Sequence, residues 1–261
     1  MQTIENRRTR FKALHAERRA FLMPNPYNIG TTRILEGLRF EALATTSAGF
    51  AFTHGLKDAE GLITRDMALT HAQTIVGAST LPVSGDMENG FGDSPEDVVE
   101  TIRGAIEVGL SGCSIEDFSP DPLNPYYEFG LAVERIKAAV DARNRLAPDF
   151  VLTARSEAPV RTDDNLRETI KRLQAFADAG ADCVYAPGLI EKQHIEAVLA
   201  EVPAPLNILA GRKNFHLTRK ELEDMGVTRV SIGSGLARIA FGAFTATAES
   251  LKDSGSFGCF D

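Results

Sequence analysis

Val83-Ser84-Gly85-Asp86-Met87-Glu88-Asn89-Gly90-Phe91-Gly92 reads as a strand that runs into a turn, with two carboxylates at the junction. Leu81, Pro82 and Val83 lead in from Gly77-Ala78-Ser79-Thr80, and Asn89-Gly90-Phe91-Gly92 forces the turn. Asp86 and Glu88 stand two residues apart, the spacing that puts side chains on one face of a strand. Two carboxylates on one face repel each other unless a cation or a proton sits between them. Oxygen-only ligands suit a hard divalent ion, Mg²⁺ or Mn²⁺. Taken alone, the pair is equally well a solvated strand end.

Outward from this stretch the chain alternates. Short apolar or β-branched runs occur at 21–24, 42–46, 82–86, 112–117, 150–154, 183–186, 206–209 and 229–232. Helical patterns follow each of them in turn, at 31–37, 65–77, 95–109, 128–146, 165–179, 192–202, 218–225 and 236–251. Ser94 precedes Pro95 as an N-cap before proline at the first helical position. Thr218 and Glu221 form a capping box, and Gly109, Gly180 and Gly226 close three helices. Eight strand–helix units in this length predict a (β/α)₈ barrel, with a doubly wound open sheet as the alternative. The expected organisation is one domain over 1–261, with an N-terminal helix within 1–20 and a last helix and tail over 236–261.

The net charge of −8 disfavours nucleic acid and anionic membrane surfaces as partners. A small anionic substrate therefore needs a local positive centre, a metal or an arginine. Cys113 and Cys183 lie in apolar runs and read as small buried hydrophobes rather than reactive thiols. The first residues carry no apolar leader and no run reaches membrane length, so the expected compartment is the cytoplasm. Residues 3–19 form a basic amphipathic pattern with Ile4, Phe11 and Leu14 as its apolar positions. Arg7, Arg8, Arg10 and Arg18 are expected to face outward.

Barrel chemistry sits at the C-terminal ends of the strands. Those ends carry Thr45-Thr46-Ser47-Ala48-Gly49, Asp86-Met87-Glu88, Glu116-Asp117 and Arg155-Ser156-Glu157. Strand seven carries Asn207 and strand eight ends in Gly233-Ser234-Gly235; strand six offers only Ala186-Pro187-Gly188. An acidic cluster on strands three and four thus faces an arginine on strand five. Gly233-Ser234-Gly235 could receive a phosphate or let strand and helix pack closely, the second being favoured. Of the five histidines only His54 lies near these ends.

These residues resemble the phosphoenolpyruvate mutase / isocitrate lyase superfamily over nearly the whole chain. The resemblance rests on the T-T-S-A-G turn at 45–49, Asp58 in L-K-D-A-E-G, G-D-M-E-N-G-F-G, Ser114-Ile115-Glu116-Asp117, Thr153-Ala154-Arg155 and Ser231-Ile232-Gly233-Ser234-Gly235. It implies Mg²⁺ and a 2-oxo acid whose enolate is the shared intermediate. By position, Asp86 would hold the metal directly, and Asp58, Glu88 and Glu116 its water ligands. The amides of Ser47, Ala48 and Gly49 would bind the substrate carboxylate. Arg155 would bind its oxygens, with Asn207 and Asn124 as further contacts. On residues alone, Asp58 could cap a turn before Gly61, and Arg155 could be a buried partner of Glu116 or Glu157.

Departures from the family pattern narrow the activity. The loop 118–127 has no cysteine where isocitrate and methylisocitrate lyases carry their acid, and Gly188 stands where they carry a glutamate. Nor does that loop hold the lysine of the phosphoenolpyruvate mutases, although Asn124 falls at their asparagine. The expected activity is therefore Mg²⁺-dependent cleavage of a C–C bond in a 2-oxo or 2-hydroxy acid, of oxaloacetate-decarboxylase or substituted-malate-lyase type. The alternatives are P–C bond chemistry and a non-catalytic keto-acid binder. The wide apolar face of Leu236, Ile239, Phe241, Phe244 and Leu251 predicts a homo-oligomer, by family a tetramer. Three prolines in 118–128 predict a stiff flap hinged near Ser119 and Tyr127.

Overall fold

The computed structural model describes residues 3–17, 19–58, 60–119 and 121–260. Among these, eight strands pair in parallel: β1 Phe21–Met23, β2 Leu43–Ala44, β3 Val83–Asp86, β4 Gly112–Glu116, β5 Val151–Arg155, β6 Cys183–Tyr185, β7 Leu206–Leu209 and β8 Arg229–Ser231. From β2 to β8 each strand neighbours the next in sequence, and β1 pairs with β8. The last seam, between β1 and β2, is closed by the Ala44 N–H donating to the Pro24 carbonyl at 3.1 Å. The result is a closed (β/α)₈ barrel rather than an open sheet.

The helices alternate with the strands as the periodicity predicts. After α1 Ile4–Ala16 come α2 Ile29–Gly37, α3 Ser47–Thr53, α4 Arg65–Ala78, α5 Pro95–Glu107, α6 Phe129–Leu146, α7 Asp163–Asp178, α8 Lys192–Glu201, α9 Arg219–Met225 and α10 Gly235–Ser254. Ser94 and Thr218 cap as expected, each with a reciprocal bond from the third helical residue. Gly109, Gly180 and Gly226 adopt φ of 88°, 102° and 101°, where a Cβ would be strained. The short α3 replaces the expected turn at 45–49. Thr46 is its N-cap, its side chain accepting from the Gly49 N–H.

Helix α1 plugs the N-terminal end of the barrel. Phe11 and Leu14 are fully buried there, and the Phe11 ring meets Phe21 edge-on at 6.3 Å. Two of its arginines correct the outward reading. Arg8 is buried and donates to the carbonyls of Leu110 and Ile106, and Arg7 donates to that of Val76. They satisfy carbonyls at and just past the ends of α5 and α4, groups left without intrahelical donors. Arg18 lies outside the described residues. With this end sealed, the opposite, C-terminal mouth is left for ligands.

Candidate active site

Register partners in a parallel ladder point to the same side of the sheet. Glu116 pairs with Arg155, Arg155 with Tyr185, Tyr185 with Asn207, and Asn207 with Arg229. The side chains of Glu116, Arg155, Tyr185 and Asn207 thus form one layer toward the mouth. Arg229, the first residue of β8, lies beneath it, donating to Thr153 Oγ1 at 3.0 Å and lying 3.1 Å from His15 Nε2 of α1. A cavity of about 490 Å³ opens on Ser47, Asp86, Arg155, Tyr185 and Asn207. A second space of about 730 Å³ is lined by Asp58, Glu88, Glu116 and Glu157, and Ser47, Asp58 and Arg155 line both.

Arg155 is the hub. Its Nη1 lies 3.1 Å from Glu116 Oε2 and 3.4 Å from Asp86 Oδ1, and its Nε donates to Glu157 Oε1. Burial works against this cation, but Glu116, Glu157, Tyr185 and Asp86 outweigh it and hold the guanidinium well above its ordinary range. Arg155 is thus the buried ion-pair partner of Glu116 and Glu157, and it also lines both cavities. Asp86 is fixed from the other side, accepting from the Ser47 N–H at 3.1 Å and the Ser47 hydroxyl at 2.8 Å. Thr45 Oγ1 accepts the Asp86 N–H at 2.8 Å.

Three expectations about geometry change. Strand β3 ends at Asp86, and Glu88 has φ 45°, so strand alternation does not bring the two acids together. The turn does, and their proximity shows in Glu88: burial, then Asp86 and Asp58, push its carboxyl up to about 7 against the pull of Arg155. Asp117 does not join Glu116. It is buried on the helix side, accepting from the Glu157 N–H at 2.8 Å and lying 3.2 Å from Arg172 Nη1. Of the three amides at 47–49, Ser47 donates to Asp86 and Gly49 to Thr46 Oγ1. That leaves the Ala48 N–H without an acceptor among the described residues.

The acids fit a hard cation in chemistry. Burial and the neighbouring acids Glu157, Asp86 and Glu88 hold the Glu116 carboxyl well above the usual range despite Arg155. Negative charge at this mouth is therefore under-compensated, the condition that a divalent ion relieves. Among the described residues no three acidic, histidine or cysteine side chains converge as direct ligands.

Asn207 lies in the layer, its Oδ1 accepting from Arg229 Nε at 2.9 Å and its Nδ2 donating to Ser231 Oγ at 3.0 Å. Asn124 is elsewhere: it is exposed in a turn, donating to Asp121 Oδ2 at 3.0 Å. His54 lies outside both cavities, its ring 4.4 Å from that of Phe50. Gly235 packs close, since an added Cβ would come within 3.0 Å of the Gly211 carbonyl oxygen. The loop after β4 is a hairpin closed by a Phe118–Tyr126 bridge. Tyr127 anchors it, its hydroxyl donating to Asp93 at 2.6 Å and accepting from Asn89 at 2.9 Å. Pro120 lies outside the described residues.

The structure adds residues that the sequence did not single out. Tyr185 stands between Arg155 and Asn207, hidden in an apolar strand of three residues. Asn25, just after β1, accepts from the amides of Ile232 and Gly233 and donates to the Thr45 carbonyl, tying the β1, β2 and β8 ends together. Arg212, Lys213 and Arg238 also line the first cavity. A polar residue directly after the first strand was the one available signal for Asn25; Tyr185 offered none.

The chain matches the family model described as phosphoenolpyruvate phosphomutase over residues 11–252. A structure of a Burkholderia cenocepacia J2315 protein described as a lyase or mutase superposes with TM-score 0.94 at 46% identity, over 98% of this chain and 91% of that one. The 2-methylisocitrate lyase of Shewanella oneidensis is 31% identical over 87% of this chain and 80% of its own. The 2,3-dimethylmalate lyase of Eubacterium barkeri is 27% identical over 85% and 78%.

Proposed function

The chain belongs to the phosphoenolpyruvate mutase / isocitrate lyase superfamily, whose members act on small carboxylic acids, and we propose that it is a Mg²⁺-dependent lyase cleaving a C–C bond in a 2-oxo or 2-hydroxy acid. The observation that carries this reading is the facing of Arg155 by Asp86, Glu88 and Glu116 at the barrel mouth, with the acids in excess. Asp86 would hold Mg²⁺, or Mn²⁺, with Asp58, Glu88 and Glu116 behind its waters. The ion would supply positive charge beside the enolate oxygen. Arg155 binds the substrate oxygens and stabilises charge that develops as the bond breaks. The Ala48 amide takes the carboxylate, and Asn207, held by Arg229 and Ser231, orients the other end. Arg212, Lys213 and Arg238 suit a second acidic group across the cavity.

The test is pyruvate release from a panel of oxaloacetate, substituted malates and phosphonopyruvate, with Mg²⁺ present or chelated. Metal-dependent release from the carboxylic acids is the expected result. Preference for phosphonopyruvate would move the protein to P–C chemistry, and binding of the acids without release would make it a binder.

Within this reading, Asn124→Ala is expected to lower kcat/KM tenfold or less, about 1.4 kcal/mol. Tyr127→Ala should cost more, because it removes both hydrogen bonds that tie the hairpin to the acidic turn. A thousandfold loss in Asn124→Ala would reverse this ranking and favour the mutase chemistry.

The same reading includes self-association. Ala237 is the one buried residue within α10, while Ile239 and Phe244 are 70% and 73% exposed. Contiguous exposed apolar side chains on one helix mark an interaction surface. Light scattering at micromolar concentration should give the mass of a tetramer; a monomeric mass would contradict this.

A further inference from the structure

Cleavage to an enolate leaves C3 of the pyruvate unit in need of a proton, and the groups that could supply it are few. The hairpin after β4 carries no cysteine, histidine or lysine. Cys113 and Cys183 are fully buried and line neither cavity. His15 is packed under the barrel layer against Arg229. Of the acids, Glu88, Glu116 and Glu157 line the second space rather than the first cavity, and Asp86 is held by Ser47 and Arg155. Two proton carriers remain on the wall of the first cavity, Tyr185 and Lys213, and Lys213 is exposed on a loop.

We propose that Tyr185 is a catalytic residue, the acid that protonates C3 of the enolate; this rests on the lyase reading above. Its register places it between Arg155 and Asn207, the two side chains assigned to the substrate. The ring is 7% exposed and lies 5.1 Å from Arg155 Cζ, so the phenol is held at the cavity wall rather than in solvent. Its hydroxyl has no hydrogen-bond partner among the described residues, in contrast to that of Tyr127, which has two. Burial, with Glu157, Asp86 and Glu116, raises this phenol despite Arg155, so the proton is in place at neutral pH.

For an oxaloacetate-type acid the step balances as follows. The bond from C3 to the departing carboxylate breaks, CO₂ leaves, and the electron pair stays on the pyruvate unit as the enolate. Re-forming the C2 carbonyl sends that pair to C3, which takes the proton from Tyr185 Oη. The phenolate left beside the Arg155 cation takes a proton from water. Retro-aldol cleavage of a 4-hydroxy-2-oxo acid breaks the C3–C4 bond, its hydroxyl proton passing to water as C4 becomes a carbonyl, and delivers the same enolate to the same transfer.

The reverse of this step exchanges the methyl protons of pyruvate. In D₂O with Mg²⁺, Tyr185→Phe is expected to slow that exchange by about 100-fold or more, the scale of general-acid catalysis. The affinity for oxalate, a planar enolate mimic, should stay within about threefold, as a proton-transfer role requires. Exchange at the wild-type rate in Tyr185→Phe would overturn the assignment, as would parallel loss of oxalate binding. So would loss of exchange in Lys213→Met with exchange retained in Tyr185→Phe. A wild-type protein that turns over no acid of the panel would overturn the lyase reading and this step with it. An active wild type with an unimpaired Tyr185→Phe would overturn the step alone.

Discussion

Asp86→Ala is expected to lower Mg²⁺-dependent turnover by at least about 10⁴-fold, some 5.5 kcal/mol of transition-state stabilisation, while the barrel stays folded. The side chain sits at a strand end, bonded to Ser47 and facing Arg155, and contributes no apolar surface to the core. Its removal also takes away one of the charges that push Glu88 up, so the loss of the Ser47 bonds is partly offset. The two effects are read separately. The wild type should gain thermal stability with Mg²⁺, about 2.7 kcal/mol at a hundred times Kd, and the variant should gain none. Activity within tenfold of wild type at saturating Mg²⁺ would remove Asp86 from the metal site.

Arg155→Gln is the second large effect, and it should damage both activity and stability. The glutamine keeps a donor but loses the charge that faces Asp86, Glu116 and Glu157. Losing one partner of a buried ion pair costs about 3 kcal/mol, since the acids remain behind. Glu116 limits that cost, because a carboxyl already held high by burial takes up a proton readily. Turnover should fall by about 10³-fold or more, as for removal of a donor aimed at developing negative charge. Arg155→Lys should not rescue it, because a single ammonium cannot reach Glu157 on one edge and Glu116 on the other. A lysine variant within tenfold of wild type would show that charge alone, without the forked geometry, suffices. Thermal melting and kcat/KM together separate the two losses.

Much of this was legible in the sequence, for local reasons. Strand runs bounded by glycine and capping residues gave eight units in order, and Ser94, Thr218, Gly109, Gly180 and Gly226 marked helix ends by their own chemistry. Asp86, Glu116, Arg155 and Asn207 were singled out by position on the strands, and the structure sets each of them on a cavity wall at the mouth. The T-T-S-A-G segment was recognised but not its conformation. A helix of seven residues has too few positions for periodicity to show, and only the Thr46 cap betrays it.

What the chain settled by itself is the architecture and the strand ends that carry charge, since both follow from short-range patterns of burial and capping. What only the tertiary structure decided is which side each charged or polar group faces. Glu116 and Asp117 are adjacent, yet one turns to Arg155 in the mouth and the other to Arg172 under a helix. Arg7 and Arg8 look like surface cations until α4 and α5 bring carbonyls to them. Tyr185 reads as a core aromatic until register sets it beside Arg155 and Asn207. In each case the deciding partner is at least 20 residues away in sequence, and such distances close only when the barrel does.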